Sequence, residues 1–117
     1  MTTPTTHSVI SRLSELSRLL DAATDEIARL DEEAVRAKAA YEVAYARAFL
    51  SAEGSIDVRK QTAVLEVRDV RLAKEIAEQQ VRACQERIRT LRSQLEVGRS
   101  LNAAVRTEWT AAAVGQP

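Results

Sequence analysis

Residues 9–48 read VISRLSELSRLLDAATDEIARLDEEAVRAKAAYEVAYARA, and the spacing within this stretch decides the fold. Val9, Leu13, Leu16, Leu20, Ala23, Ile27, Leu30, Ala34, Ala37, Tyr41, Ala44 and Ala48 follow one another in steps that alternate four and three without a break. That is a 3.5-residue repeat, the mark of a helix keeping one apolar seam turned toward a partner helix. A straight helix with its 3.6-residue period would drift off this line, so the repeat predicts a left-handed supercoil. Leu and Ile fill the first half of the seam and alanine most of the second, where small side chains let helix axes approach closely. Tyr41, Tyr45 and Phe49 are the large exceptions and are placed to plug the end of the coil.

Working outward, Gly54-Ser55 is the one good break in the middle of the chain. Gly54 can take the left-handed conformation that ends a helix, and Ser55 can cap the next, with Asp57 near its positive end. A connection this short turns the chain into an antiparallel hairpin; the rival is one uninterrupted helix through Gly54, where a single glycine costs only about 1 kcal/mol. The second helix is expected from Ile56 to about Ala112. Its stripe is Ala63, Val67, Val70, Lys74, Ala77, Val81, Cys84, Ile88, Leu91, Leu95, Gly98, Asn102, Val105 and Trp109. Lys74, Gly98 and Asn102 interrupt it, and residues 98–100 are the place where the helix could break. Leu65, Leu72, Ile76 and Leu101 widen the apolar face, which suggests more than one neighbouring helix.

These readings give an all-α chain, a helical hairpin of two long helices in one coiled-coil domain at 8–113, assembling into an oligomeric bundle. Residues 1–7 and 114–117 are expected to be disordered. At 1.5 Å per residue the helices at 8–53 and 56–112 span roughly 68 Å and roughly 85 Å. The second should therefore overhang the first, leaving Leu101, Val105 and Trp109 bare. Leu13, Leu16, Leu20, Ile27, Leu30, Val81, Ile88, Leu91 and Leu95 are the candidate oligomer seam, with self-association covering the rest.

Composition agrees. Only 3% of the 117 residues are aromatic and 29% are charged, so apolar volume is spread in small side chains that suit a narrow seam. Seventeen basic and 17 acidic residues cancel, which removes any global pull toward nucleic acid or an anionic membrane. A single cysteine, Cys84, excludes an intramolecular disulfide. No apolar run approaches the roughly 20 residues of a membrane span, and Met1–His7 lacks the segments of a signal peptide. A cytoplasmic location is the expectation.

Charge is nonetheless divided. Residues 8–53 hold six basic and nine acidic side chains, whereas 54–117 hold 11 basic and eight acidic. Asp31-Glu32-Glu33 is an acidic run in the first helix. Arg82, Arg87, Arg89, Arg92, Arg99 and Arg106 crowd the second. Such charges ordinarily flank a seam and set helix orientation and partner choice. The alternative is a stripe contacting phosphates, with Arg89, Arg92 and Arg99 on a nucleic-acid backbone. Trp109 either closes the coil terminus or anchors a partner.

Nothing in the chain spells an active site. Cys84 lies on the apolar stripe, and the lone histidine, His7, lies in the N-terminal tail, so neither a Cys–His pair nor a zinc site is expected. Gly98-Arg-Ser100 lacks the glycine pattern and lysine of a phosphate loop. No enzyme activity, cofactor, metal or small-molecule substrate is expected.

Two segments, Tyr41-Glu-Val-Ala-Tyr-Ala-Arg-Ala-Phe-Leu-Ser-Ala-Glu-Gly-Ser55 and Leu91-Arg-Ser-Gln-Leu95 continuing through Arg99-Ser-Leu-Asn-Ala-Ala-Val-Arg106, resemble small helical proteins of tailed bacteriophages and prophages. The likeness covers about residues 41–108. It implies a phage protein of the host cytoplasm that assists DNA recombination or replication, and it transfers no catalytic residue. The combined expectation is a coiled-coil scaffold or accessory protein that binds itself and another protein. Direct nucleic-acid binding through the arginine row, and inhibition of a host protein, are the alternatives.

Overall fold

A computed structural model describes residues 5–114 of the chain. It is all-α, a long helical hairpin: α1 (Thr6–Ser51), α2 (Ile56–Glu66) and α3 (Arg68–Val114). Contacts divide the described residues into two compact units, one of the residues up to 25 and from 86 onward and one of residues 26–85. Helices α1 and α3 contribute to both.

Helix α1 begins earlier than the apolar pattern indicates. Thr5 and Ser8 cap reciprocally: the Thr5 N–H donates to Ser8 Oγ at 3.0 Å, and the Ser8 N–H donates to Thr5 Oγ1 at 3.2 Å. Two otherwise orphaned donors of the first turn are satisfied in this way. His7 therefore lies on α1 and not in a disordered tail, and α3 runs through Val114. The remaining tail positions, 1–4 and 115–117, lie outside the described residues.

The turn is built as its residues dictate. Gly54 has φ +108°, a conformation closed to most side chains, and a Cβ there would also press Val58 Cγ1 at 3.2 Å. Ser55 caps α2 by accepting from the Val58 N–H at 3.3 Å. Helix α1 stops at Ser51, two residues before the expected Glu53. Its exposed end is held by Arg59, whose guanidinium donates to the Phe49 carbonyl at 3.2 and 3.3 Å and lies 4.4 Å from the Phe49 ring centre.

The second arm is two helices, with the break at Val67 and none at residues 98–100. Val67 (φ −103°, ψ 13°) leaves the helical path for one residue. Bonds continue on either side, from the Val67 N–H to Ala63 O at 3.1 Å and from the Arg71 N–H to Val67 O at 2.9 Å. Val64, Val67 and Val70 place three β-branched residues within two turns, which lowers the local cost of leaving the helix. Gly98 stays within α3, and Leu13 packs into the space its missing side chain leaves; a Cβ at Gly98 would stand 2.6 Å from Leu13 Cδ2.

In the 26–85 unit, Ala48, Ala63 and Val67 form a buried cluster against which Tyr41, Ala44, Tyr45 and Phe49 pack. The rings step along α1 with centroids 6.2 and 6.5 Å apart. Lys74 enters the same seam with its ammonium 5.4 Å from the Tyr41 ring centre and 3.4 Å from Glu78. In the other unit Val9, Leu16, Ala23, Ile88, Leu91 and Leu95 are buried. Alanine at the tight positions and leucine at the wider ones let two helices close a seam without large rings.

Candidate interaction surfaces

Every position of the α1 stripe, and every position of the second stripe up to Val105, is buried or half-buried, whereas Trp109 is exposed. The nine candidate oligomer residues are therefore already in use. Leu16, Leu30, Ile88, Leu91 and Leu95 are buried and Leu13, Leu20, Ile27 and Val81 half-buried within a single chain. Within a single chain these residues line the seam of the hairpin.

The overhang is also smaller than the helix lengths suggest. Thr6 shares an open groove with Arg106, Trp109 and Thr110, so the first turn of α1 comes level with the Trp109 turn. Val105 is half-buried as a result. Leu101 and Trp109 remain exposed, the latter at 74%.

Five of the six arginines divide into two sets. Arg82 is held by Gln79 at 2.9 and 3.2 Å, and Arg89 by Glu86. Arg92, Arg99 and Arg106 are exposed and make no ion pair among the described residues. They stand seven residues apart in the sequence, each directly following the seam residues Leu91, Gly98 and Val105. At about 1.5 Å per residue, successive guanidinium roots are roughly 10 Å apart. Arg92 and Arg99 border an open groove with Leu20, Leu95 and Glu96. The geometry suits anions arrayed along a rod, whether carboxylates of a helix or phosphates of a strand.

Cys84 is buried in the seam. Among the described residues no three metal-ligating side chains come together, and no helix is long and apolar enough to cross a membrane.

The exposed apolar residues are the feature that sequence reading caught only in part. Leu65, Leu72 and Ile76, taken from the sequence as a widened stripe, are 51–68% exposed. Val35, Val43 and Leu50 on α1 are 50–74% exposed and went unread. Counting periodicity on the face opposite the seam would have found them. Arg59 was missed for a different reason: its role depends on the Phe49 carbonyl across the turn.

Comparison with protein-family models, with curated proteins and with solved structures finds no match to this chain.

Proposed function

We propose that this chain is a non-enzymatic helical scaffold or accessory protein that acts by self-association and by binding a second protein. One observation carries the reading. The hairpin seals its seam internally, yet large apolar side chains remain exposed on the outer faces of its helices, and Trp109 on its end. Contiguous exposed apolar patches, unlike singly scattered side chains, mark binding surfaces. The resemblance of residues 41–108 to small phage proteins supports a place in phage DNA recombination or replication, in the host cytoplasm. The test is solution mass measurement combined with affinity capture from a phage-infected host. A concentration-dependent oligomer that retains a recombination or replication protein supports the reading. A monomer at micromolar concentration that captures nothing removes it.

A second reading is direct nucleic-acid binding, favoured by the three arginines without acidic partners. Three phosphate contacts give a slope of log affinity against log salt of about −2.7 for duplex DNA. Reversing Arg92 and Arg99 to glutamate should abolish a low-salt mobility shift; an unshifted wild-type complex excludes this reading.

A further inference from the structure

We infer that an acidic amphipathic helix of a second protein docks along one flank of the hairpin, against Arg92, Arg99 and Arg106. The flank lies within the unit that joins the residues up to 25 with those from 86 onward. The inference rests on the partner-binding reading above and names the surface and the partner's chemistry. Each of the three arginines follows a seam residue of α3, as Ile10, Ser17 and Thr24 follow the seam residues Val9, Leu16 and Ala23 of α1. Both seams step four residues on from these points, Val9 to Leu13 and Leu91 to Leu95, so the two rows take the same heptad position. In an antiparallel pair, equal flanking positions share one side of the seam. All six side chains are exposed. The α1 row that faces the arginines is uncharged and supplies no carboxylate to them.

This flank is concave. Arg92 and Arg99 border one open groove with Leu20, Leu95 and Glu96, and Arg106 borders another with Thr6, Trp109 and Thr110. Leu20 is half-buried at the seam and Trp109 stands exposed at the far end. From Arg92 to Trp109 the flank runs about 25 Å at 1.5 Å per residue, room for four to five turns of a docked helix. The spacing of the arginines matches such a rod. A helix lying along the seam repeats its contact face every seven residues, so one carboxylate per heptad meets one arginine. Its apolar face then covers Leu20, and Trp109 supplies an aromatic anchor. Charges beside an apolar stripe choose its partner.

Glu96 weighs against a nucleic-acid strand in the same place. It borders the groove four residues after Arg92 and three before Arg99, and makes no ion pair among the described residues. A continuous run of phosphates would meet this carboxylate as well as the arginines. A helix instead spaces its acidic residues a heptad apart and can set a neutral or basic side chain opposite Glu96. A second copy of the chain does not carry the complementary row. No three of its acidic residues stand seven apart; Asp25 with Glu32 and Glu26 with Glu33 are its only pairs at that interval. Glu32 and Glu33 are already held by Arg36 and Arg29.

The probe is a stapled three-heptad helical peptide without tryptophan, carrying leucine at its seam positions and one glutamate beside them in each heptad. Trp109, the only tryptophan of the full chain, reports its binding by fluorescence. The peptide should bind at micromolar concentration, and a peptide of the same composition with its glutamates spread round the helix should bind about tenfold more weakly. Arg92→Glu, Arg99→Glu and Arg106→Glu should each weaken binding about tenfold while helix content by circular dichroism is kept, since all three side chains are exposed. Arg18→Glu, exposed on the outer face of α1, should leave binding unchanged. A peptide with lysine in its central heptad should bind Arg99→Glu better than it binds the wild type. No peptide binding, or binding that the three arginine variants leave unchanged, overturns the proposal. DNA shifted by the same arginines without peptide binding overturns it in favour of nucleic acid, and a wild-type oligomer that dissociates on Arg99→Glu overturns it in favour of a second copy. If host capture retains a protein equally on wild type and on the triple arginine variant, partner binding stands and this flank is the wrong surface. If neither host capture nor the peptide gives a complex, both fall.

Discussion

Asn102 occupies a seam position, and its Oδ1 is buried without a hydrogen-bond partner among the described residues. A buried acceptor left unpaired costs on the order of 1–3 kcal/mol. Asn102→Leu should therefore raise stability by about 1 kcal/mol in urea titration, with an unchanged slope. A polar residue in an otherwise apolar seam also penalises wrong registers, so the same variant should show a broader population of conformers by NMR. Gly98 sits one turn earlier and is constrained from the opposite direction. Leu13 fills its space, and Gly98→Val should cost about 2 kcal/mol, because overpacking outweighs the few tenths of a kcal/mol, roughly, that a β-branched residue recovers over glycine in a helix. Both residues were legible as interruptions of the stripe. What they do there was not, since a missing Cβ and an unpaired oxygen acquire meaning only from the side chain opposite.

Helix boundaries follow local chemistry more closely than they follow the apolar repeat. Thr5 and Ser8 start α1 by exchanging hydrogen bonds, a device the repeat cannot reveal because neither residue is apolar. Thr5→Val should cost about 1 kcal/mol and increase amide exchange in the first turn only. At the other end Arg59 satisfies the Phe49 carbonyl and covers its ring. Removing it as Arg59→Ala should cost about 2 kcal/mol by thermal unfolding, and Arg59→Lys should recover only part, since lysine cannot offer two donors in a fixed fork. Gly54-Ser55 was readable at once, because a glycine followed by a capping serine is a signal contained in two adjacent residues. The break at Val67 was hidden. The side chain of Val67 keeps its seam position and is buried, so the pattern of apolar residues passes through the break unchanged.

For the whole molecule, the seam of α1 read from spacing alone matches the buried and half-buried positions along its entire length, because a two-helix fold has one contact direction and the repeat encodes it. What the repeat does not encode is whose helix lies opposite. Leu16, Ile88 and Leu95 suit an oligomer seam as well as an intrachain one, and the short turn supplies the intrachain partner. Leu16→Ala should accordingly destabilise the isolated chain by about 3 kcal/mol, measured well below any association threshold. The turn also orders events in time. Ala48 and Ala63 are 15 residues apart in the chain, whereas Leu13 and Gly98 are separated by 85. Closing the short loop costs less entropy, and the difference grows with the logarithm of the separation. The hairpin should therefore nucleate at Gly54-Ser55 and close toward its ends. In stopped-flow kinetics, Ala63→Gly should slow folding, whereas Leu16→Ala should chiefly speed unfolding. A nascent chain would begin to pair its arms soon after the turn leaves the ribosome, and the ends bearing Arg106 and Trp109 would be the last to close and the first to open.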